Sequence, residues 1–253
     1  MKDDSKNKIL IFGTVDAMNK SVAKLLVDIA KRSIAELGRF VLCLSGGNTP
    51  KSLYTLLSQS PNNEETFWKN TFVFWGDERC VPYNDDSNNA HMATMTLLNK
   101  VDIPQSNIFP VPVNLSPAEA ANSYEKIIRD FFGNEIPRFD LVLLGLGDNG
   151  HTASIFPDTE VVGEQVRLVK EVFVEEQNMY RITMTAPLIN RAHNIAFLVT
   201  GTEKANILKT VLTSPYHPDK YPAQLIKPNN GELYWFADDK AASYLINEKT
   251  KNQ

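Results

Sequence analysis

Apolar positions along this chain alternate between two patterns. Short unbroken runs occur at residues 9–12, 40–44, 71–75, 141–144, 194–199 and 233–236. Their length and aliphatic content are those of strands buried on both faces. Between them lie longer stretches with apolar residues at helical spacing. Over 17–37, Val22, Leu25, Leu26, Ile29, Ser33 and Leu37 share one stripe, and Gly38 stands where a left-handed residue closes a helix. Over 116–133, Ser116-Pro117-Ala118-Glu119 forms a capping box. Ala120, Tyr124, Ile127, Ile128 and Phe131 make the apolar face, and Gly133 marks the end.

The remaining segments fit the same alternation. Thr49 is placed to cap a helix with Pro50 at its first position and Leu53, Leu56 and Leu57 on its inner face. Further helices are expected at about 90–99, from Thr202 to about 212, and over 238–247, with a helical turn at 187–191. Residues 166–174 and 180–185 read as two strands separated by a polar turn, and 101–112, with three prolines, as holding one short strand. Residues 60–70, 82–89 and 214–222 are polar and turn-rich. Strands alternating with helices, without repeat or linker, predict one α/β domain over 1–253, built on a mostly parallel sheet with helices covering it.

Composition narrows the class. The 253 residues are 43% apolar and 22% charged, with a net charge of −4. That balance argues against wholesale nucleic-acid binding, so an anionic ligand needs a local cluster of donors. Two cysteines, Cys43 and Cys80, lack metal or disulfide spacing and fit a reducing compartment. The start, charged and then apolar for only five residues, is too short for a signal peptide, and no run approaches the roughly 18 apolar residues of a membrane span. A cytoplasmic protein with no membrane partner is expected.

The chemistry collects just past strand ends. Ser45-Gly46-Gly47-Asn48-Thr49-Pro50 follows one run and opens a helix, which suits either an anion site on backbone N–H groups or a plain strand-to-helix turn. Gly76-Asp77-Glu78-Arg79 follows another, and Arg79 can fork onto phosphate oxygens. Gly145-Leu146-Gly147-Asp148-Asn149-Gly150 follows a third and delivers His151, whose unperturbed pKa of ~6.5 suits proton transfer near neutrality. The glycine spacing matches a dinucleotide fingerprint, but Pro157 stands seven residues after Gly150, where the required helix should run. His91, His193 and His217 show no metal-ligand spacing with His151, so no metal is expected, and no GxSxG elbow occurs. Arg181 and Lys204 are cations near a strand edge and a helix start, and taken alone each reads as a solvated surface charge several times more readily than as a ligand contact.

Three segments in this order, LSGGNTPKSLY, FWGDERCVP with DDSNNAHM, and LGLGDNGHTASIFP, resemble the 6-phosphogluconolactonases. YRITMTAPLIN, FLVTGTEKA and YPAQLI extend the similarity over nearly the whole chain. The related glucosamine-6-phosphate deaminases and isomerases share the two glycine loops but continue with an IAFNEP-like segment, and have MDEY-like residues where this chain has GDER. The resemblance implies a Rossmann-like α/β fold of the sugar-phosphate isomerase type. It also implies cofactor-free hydrolysis of 6-phospho-D-glucono-1,5-lactone; a monomer or small homo-oligomer is expected. By motif match, Gly46, Gly47, Asn48 and Arg79 would take the phosphate with help from Lys204, Arg181 would lie near the ligand, and His151 would activate water. The family commonly has Asp two residues before the histidine; here Asn149 stands there. A neutral amide orients an imidazole but stabilises its cation less. An amino-sugar phosphate deaminase and a non-catalytic sugar-phosphate binder are the alternatives, the second favoured only by Asn149.

Overall fold

The computed structural model describes residues 7–246. β1 (Asn7–Phe12), β2 (Phe40–Leu44), β3 (Thr71–Trp75), β5 (Leu141–Gly145), β8 (Asn194–Val199) and β9 (Glu232–Asp238) coincide with the six apolar runs. They form one sheet in the order β1-β9-β8-β5-β2-β3, with every pairing parallel. All five residues of β2 are buried, as are the first four of β5, which explains their unbroken apolar character.

Helices α1 (Val15–Leu37), α2 (Asn48–Leu57), α3 (Asn89–Thr96), α4 (Pro117–Phe132), α5 (Ala186–Ile189) and α6 (Ala205–Thr213) alternate with the strands. α1 packs on β2 and β9, and α2 on β5 and β8. Val22, Leu26, Ile29 and Ser33 are the buried part of the α1 stripe, and Leu37 is exposed where the helix ends at left-handed Gly38. The Tyr124 hydroxyl of α4 accepts from the Trp75 N–H at 2.8 Å and donates to the Trp75 carbonyl, fixing the end of β3.

Chain order reverses between β2 and β5. From β2 the chain steps outward to β3, then returns to β5 on the other side of β2 and proceeds through β8 to β9. In open parallel sheets the crevice at such a reversal, beyond the C-terminal strand ends, is where ligands sit.

Several expectations need correction. Asp77–Arg79 is a short strand, β4, in a second, antiparallel sheet with β7 (Met179–Met184) and β6 (Val169–Val174). Three polar residues give no periodic signal, so the segment reads as a turn. Gly76 ties the sheets together: its N–H reaches the Leu44 carbonyl at 2.9 Å, and its carbonyl accepts from Met184 N–H at 2.7 Å. The strand expected from 166 starts at Val169, because the Glu164 carboxylate takes the N–H groups of Gln165, Val166 and Arg167 and curls the chain. No strand forms over 101–112; Ile108 makes only an isolated bridge to Val73, and the prolines remove ladder donors. Gly47, not Thr49, caps α2, leaving Pro50 at the third helical position, where an N–H has no intrahelical partner anyway. Thr202 opens a 3-10 turn, Thr202–Lys204, without capping it, and α6 follows. The segment expected to be helical from 238 makes a turn at 239–242 and is helical over 243–246. Residue 247 and the charged stretch 1–6 lie outside the described residues. Among the described residues no helix is long and apolar enough to cross a membrane.

Candidate active site

Three neighbouring strands, β2, β5 and β8, deliver their C-terminal ends to one cleft of about 450 Å³. β2 supplies Ser45 to Pro50, β5 supplies Gly145 to Asp148 with His151, and β8 supplies Thr200, Glu203 and Lys204. The second sheet contributes Asp77 and Arg79 from β4 and Arg181 from β7. Arg79 and Arg181 are direct cross-strand partners, so antiparallel pairing sets two guanidinium-bearing residues side by side. Gly46, Gly47, Asn48, Arg79, His151, Arg181 and Lys204 are thus brought together; Asn149 stands behind His151 rather than on the cleft wall.

His151 is held from four directions. Its Nδ1 lies 2.6 Å from the Asn149 amide oxygen. The same oxygen accepts the His151 backbone N–H at 3.2 Å. An oxygen facing Nδ1 makes Nδ1 the protonated nitrogen, which leaves Nε2 with its lone pair. The ring stacks on Phe156, with centroids 4.0 Å apart and planes at 23°. The His151 carbonyl accepts the Gly147 N–H at 2.8 Å, closing the loop. Beyond Gly150 the chain makes a bridge and turns instead of a helix, as Pro157 indicated.

Burial lowers the His151 pKa to about 4, with Arg181 and Lys204 adding to the shift while Asp77 and Asp148 oppose it. The expected ordinary value near 6.5 is therefore corrected: the ring is neutral throughout the physiological range, and its Nε2 is available to take a proton.

The cations are less free than their motifs suggest. One Arg79 nitrogen donates to the Ser87 carbonyl at 2.7 Å and to Asn89 Oδ1 at 2.8 Å, while its buried Nε has no partner among the described residues. Arg181 is only 7% exposed and lies 3.6 Å from Asp77, with its guanidinium over Phe156 and a bond to Gln177. It is therefore a buried residue rather than a solvated surface charge. Lys204 pairs with Asp148, so that carboxylate is engaged by a cation, while Nδ1 of His151 faces the Asn149 amide.

Several supporting residues carried no sequence signal. Asn89, at the start of α3, donates to the Asp77 carbonyl at 2.9 Å while accepting from Arg79. Its amide fills the space that a Gly46 side chain would need: a Cβ there would lie 1.9 Å from Asn89 Oδ1. Glu78 accepts the N–H groups of Arg79, Asn89 and Ala90 and so ties the start of α3 to β4. Burial pushes its carboxyl up, against those three donors. Ser154 donates to Asp77 at 2.6 Å. Thr49 and Thr200 join the β2 and β8 loops through their hydroxyls at 2.7 Å. Among the described residues no three or more His, Cys, Asp or Glu side chains are grouped to hold a metal ion.

Comparison with known proteins identifies the family. Residues 13–235 match the family described as glucosamine-6-phosphate isomerases/6-phosphogluconolactonase. A 6-phosphogluconolactonase of Synechocystis is 42% identical over 218 residues, covering 85% of this chain and 88% of its own. One from Nostoc is 39% identical, covering 84% and 88%. The structure of the 6-phosphogluconolactonase from Trypanosoma cruzi superposes with a TM-score of 0.84 at 30% identity, covering 95% of this chain and 97% of its own. The chain belongs to the glucosamine-6-phosphate isomerase and 6-phosphogluconolactonase family.

Proposed function

We propose that this protein hydrolyses 6-phospho-D-glucono-1,5-lactone to 6-phospho-D-gluconate, the lactone-opening step of the oxidative pentose phosphate pathway. The observation that carries the reading is a neutral imidazole whose Nδ1 is committed to Asn149 and whose Nε2 is left as a base, set in a cleft with three cations.

The phosphate end of the substrate binds against the Gly46-Gly47-Asn48 turn at the start of α2, where the N–H groups of a helix start and the helix dipole favour an anion. Arg79 adds a charged donor, and Lys204 and Arg181 complete the positive wall. Held by its phosphate, the lactone presents its carbonyl to a water on His151 Nε2. The imidazole takes a proton as the water oxygen bonds to the carbonyl carbon. The tetrahedral intermediate collapses with cleavage of the ring C–O bond, and the imidazolium returns the proton to the departing ring oxygen. A strained ester held in one orientation needs no cofactor for this step. The whole chain acts as one catalytic domain, as a monomer or small homo-oligomer, in the cytoplasm.

The test is turnover of freshly generated 6-phospholactone above its spontaneous hydrolysis, with ammonia release from glucosamine 6-phosphate measured in parallel. Lactone turnover without ammonia release is expected. Ammonia release would make the protein a deaminase, and ligand-induced stabilisation without turnover would make it a binder.

A further inference from the structure

Asn149 is followed by Gly150, and the pair lies in the loop that carries His151. We propose that Asn149 is a site of spontaneous deamidation whose aspartate product places a carboxylate against Nδ1 of His151. The chemistry stands independently of the activity proposed above; only its effect on turnover rests on that reading.

Deamidation requires the peptide nitrogen of the next residue to attack the side-chain amide carbon. Gly150 has no side chain to shield that nitrogen, and its φ of +83° is a conformation glycine adopts without strain. The bond from the His151 N–H to Asn149 Oδ1 closes a turn of about ten atoms that contains both reacting atoms, Asn149 Cγ and Gly150 N. That oxygen accepts two N–H groups, at 2.6 and 3.2 Å. Two donors on one carbonyl oxygen draw charge from its carbon and stabilise the oxyanion that forms on attack. Asn149 is partly exposed, so water reaches it. The Gly150 N–H donates to the Gly147 carbonyl at 3.0 Å, and this bond must open before attack.

In the first step a bond forms between Gly150 N and Asn149 Cγ, the Cγ–Nδ2 bond breaks, and Nδ2 leaves as ammonia with the proton lost from Gly150 N. Water then opens the cyclic imide. Attack at Cγ restores the Gly150 peptide and gives aspartate. Attack at the main-chain carbonyl gives isoaspartate, whose extra backbone methylene displaces His151. No oxidant or reductant is needed. Aspartate keeps the acceptor on Nδ1 and adds a negative charge, which favours the imidazolium.

The sequence holds one other Asn-Gly pair, Asn230–Gly231, with Asn230 exposed just before β9. It serves as an internal reference. Full-length protein is incubated at mildly alkaline pH, and the peptides carrying both sites are followed by mass spectrometry, with Asn149→Asp as the standard for the product. The titration of His151 is followed by NMR, which needs no activity. Asn149 is expected to convert within the period in which Asn230 does, and not to be matched by conversion in Asn149→Gln, where ring closure is one atom longer. The His151 titration of the aged protein is expected to move upward toward that of Asn149→Asp. Retention of the amide at 149 while Asn230 converts overturns the proposal. Isoaspartate as the only product overturns its second half.

Discussion

The imidazole of His151 occupies the space that a side chain on Gly147 would need: a β-carbon there would stand 2.0 Å from Nδ1 and 2.1 Å from Cε1. The loop therefore requires glycine at 147 for close approach rather than for phosphate contact. Gly147→Ala is expected to push the ring off the Asn149 oxygen and lower kcat by roughly 100-fold, the cost of misplacing a reacting group by about 1 Å. KM should change little, because the proposed phosphate contacts, Gly46 to Asn48 and Arg79, lie on other loops. Steady-state kinetics check this; a raised KM at full kcat would place Gly147 in substrate binding instead.

Arg79 and Gly46 are linked through Asn89, which is in contact with both. Arg79→Ala is expected to raise KM by roughly 10- to 100-fold, the equivalent of one charged hydrogen bond of about 1.5–3 kcal/mol, with kcat nearly kept. Gly46→Ala displaces Asn89 and should reproduce part of that KM effect although residue 46 carries no charge. A kcat loss at constant KM in Arg79→Ala would assign the guanidinium to the transition state.

The low pKa of His151 has two consequences with the same origin. Between about pH 4 and the ~6.5 of an unfolded histidine, the unfolded chain binds a proton that the folded chain does not. Stability contributed by this group is therefore present above pH ~6.5 and lost as pH falls toward 4, amounting to roughly 3 kcal/mol. Denaturant unfolding across that window should show His151→Ala to be less acid-labile than the parent. For turnover, kcat is expected to stay flat through pH 5 to 8 and fall only on further acidification. An acid limb of kcat centred near 6.5 would contradict this reading.

Phe156 touches both His151 and Arg181, stacking on the first and lying under the guanidinium of the second at 5.5 Å. Desolvation is the largest cause of the low histidine pKa, and this ring supplies part of it. Phe156→Leu is expected to raise the His151 pKa, read by NMR, and to lower kcat through a looser ring. Phe156→Tyr should restore both. An unchanged titration in Phe156→Leu would reduce Phe156 to a packing residue.

The parallel sheet was legible because strands buried on both faces must be apolar throughout, as in β2 and β5. The three strand-end clusters were legible because glycine and charge interrupt those runs abruptly. β4 was not, since Asp77, Glu78 and Arg79 form a strand through pairing with β7 and not through any pattern of their own. Asn89 and Phe156 were hidden for a related reason: each acts through a contact with a residue distant in sequence or across a turn, which spacing does not encode. The buried state of Arg181 came from the same antiparallel pairing, and the depressed pKa of His151 from packing that only the assembled cleft creates.

The central claim is that His151 Nε2 activates the water that opens the lactone. The most direct measurement is kcat for 6-phospholactone hydrolysis by the parent protein and by His151→Ala, with binding of 6-phosphogluconate measured on both. Loss of a general base predicts a fall of roughly 100- to 10,000-fold in kcat with product affinity retained. Unaltered kcat in His151→Ala would contradict the claim.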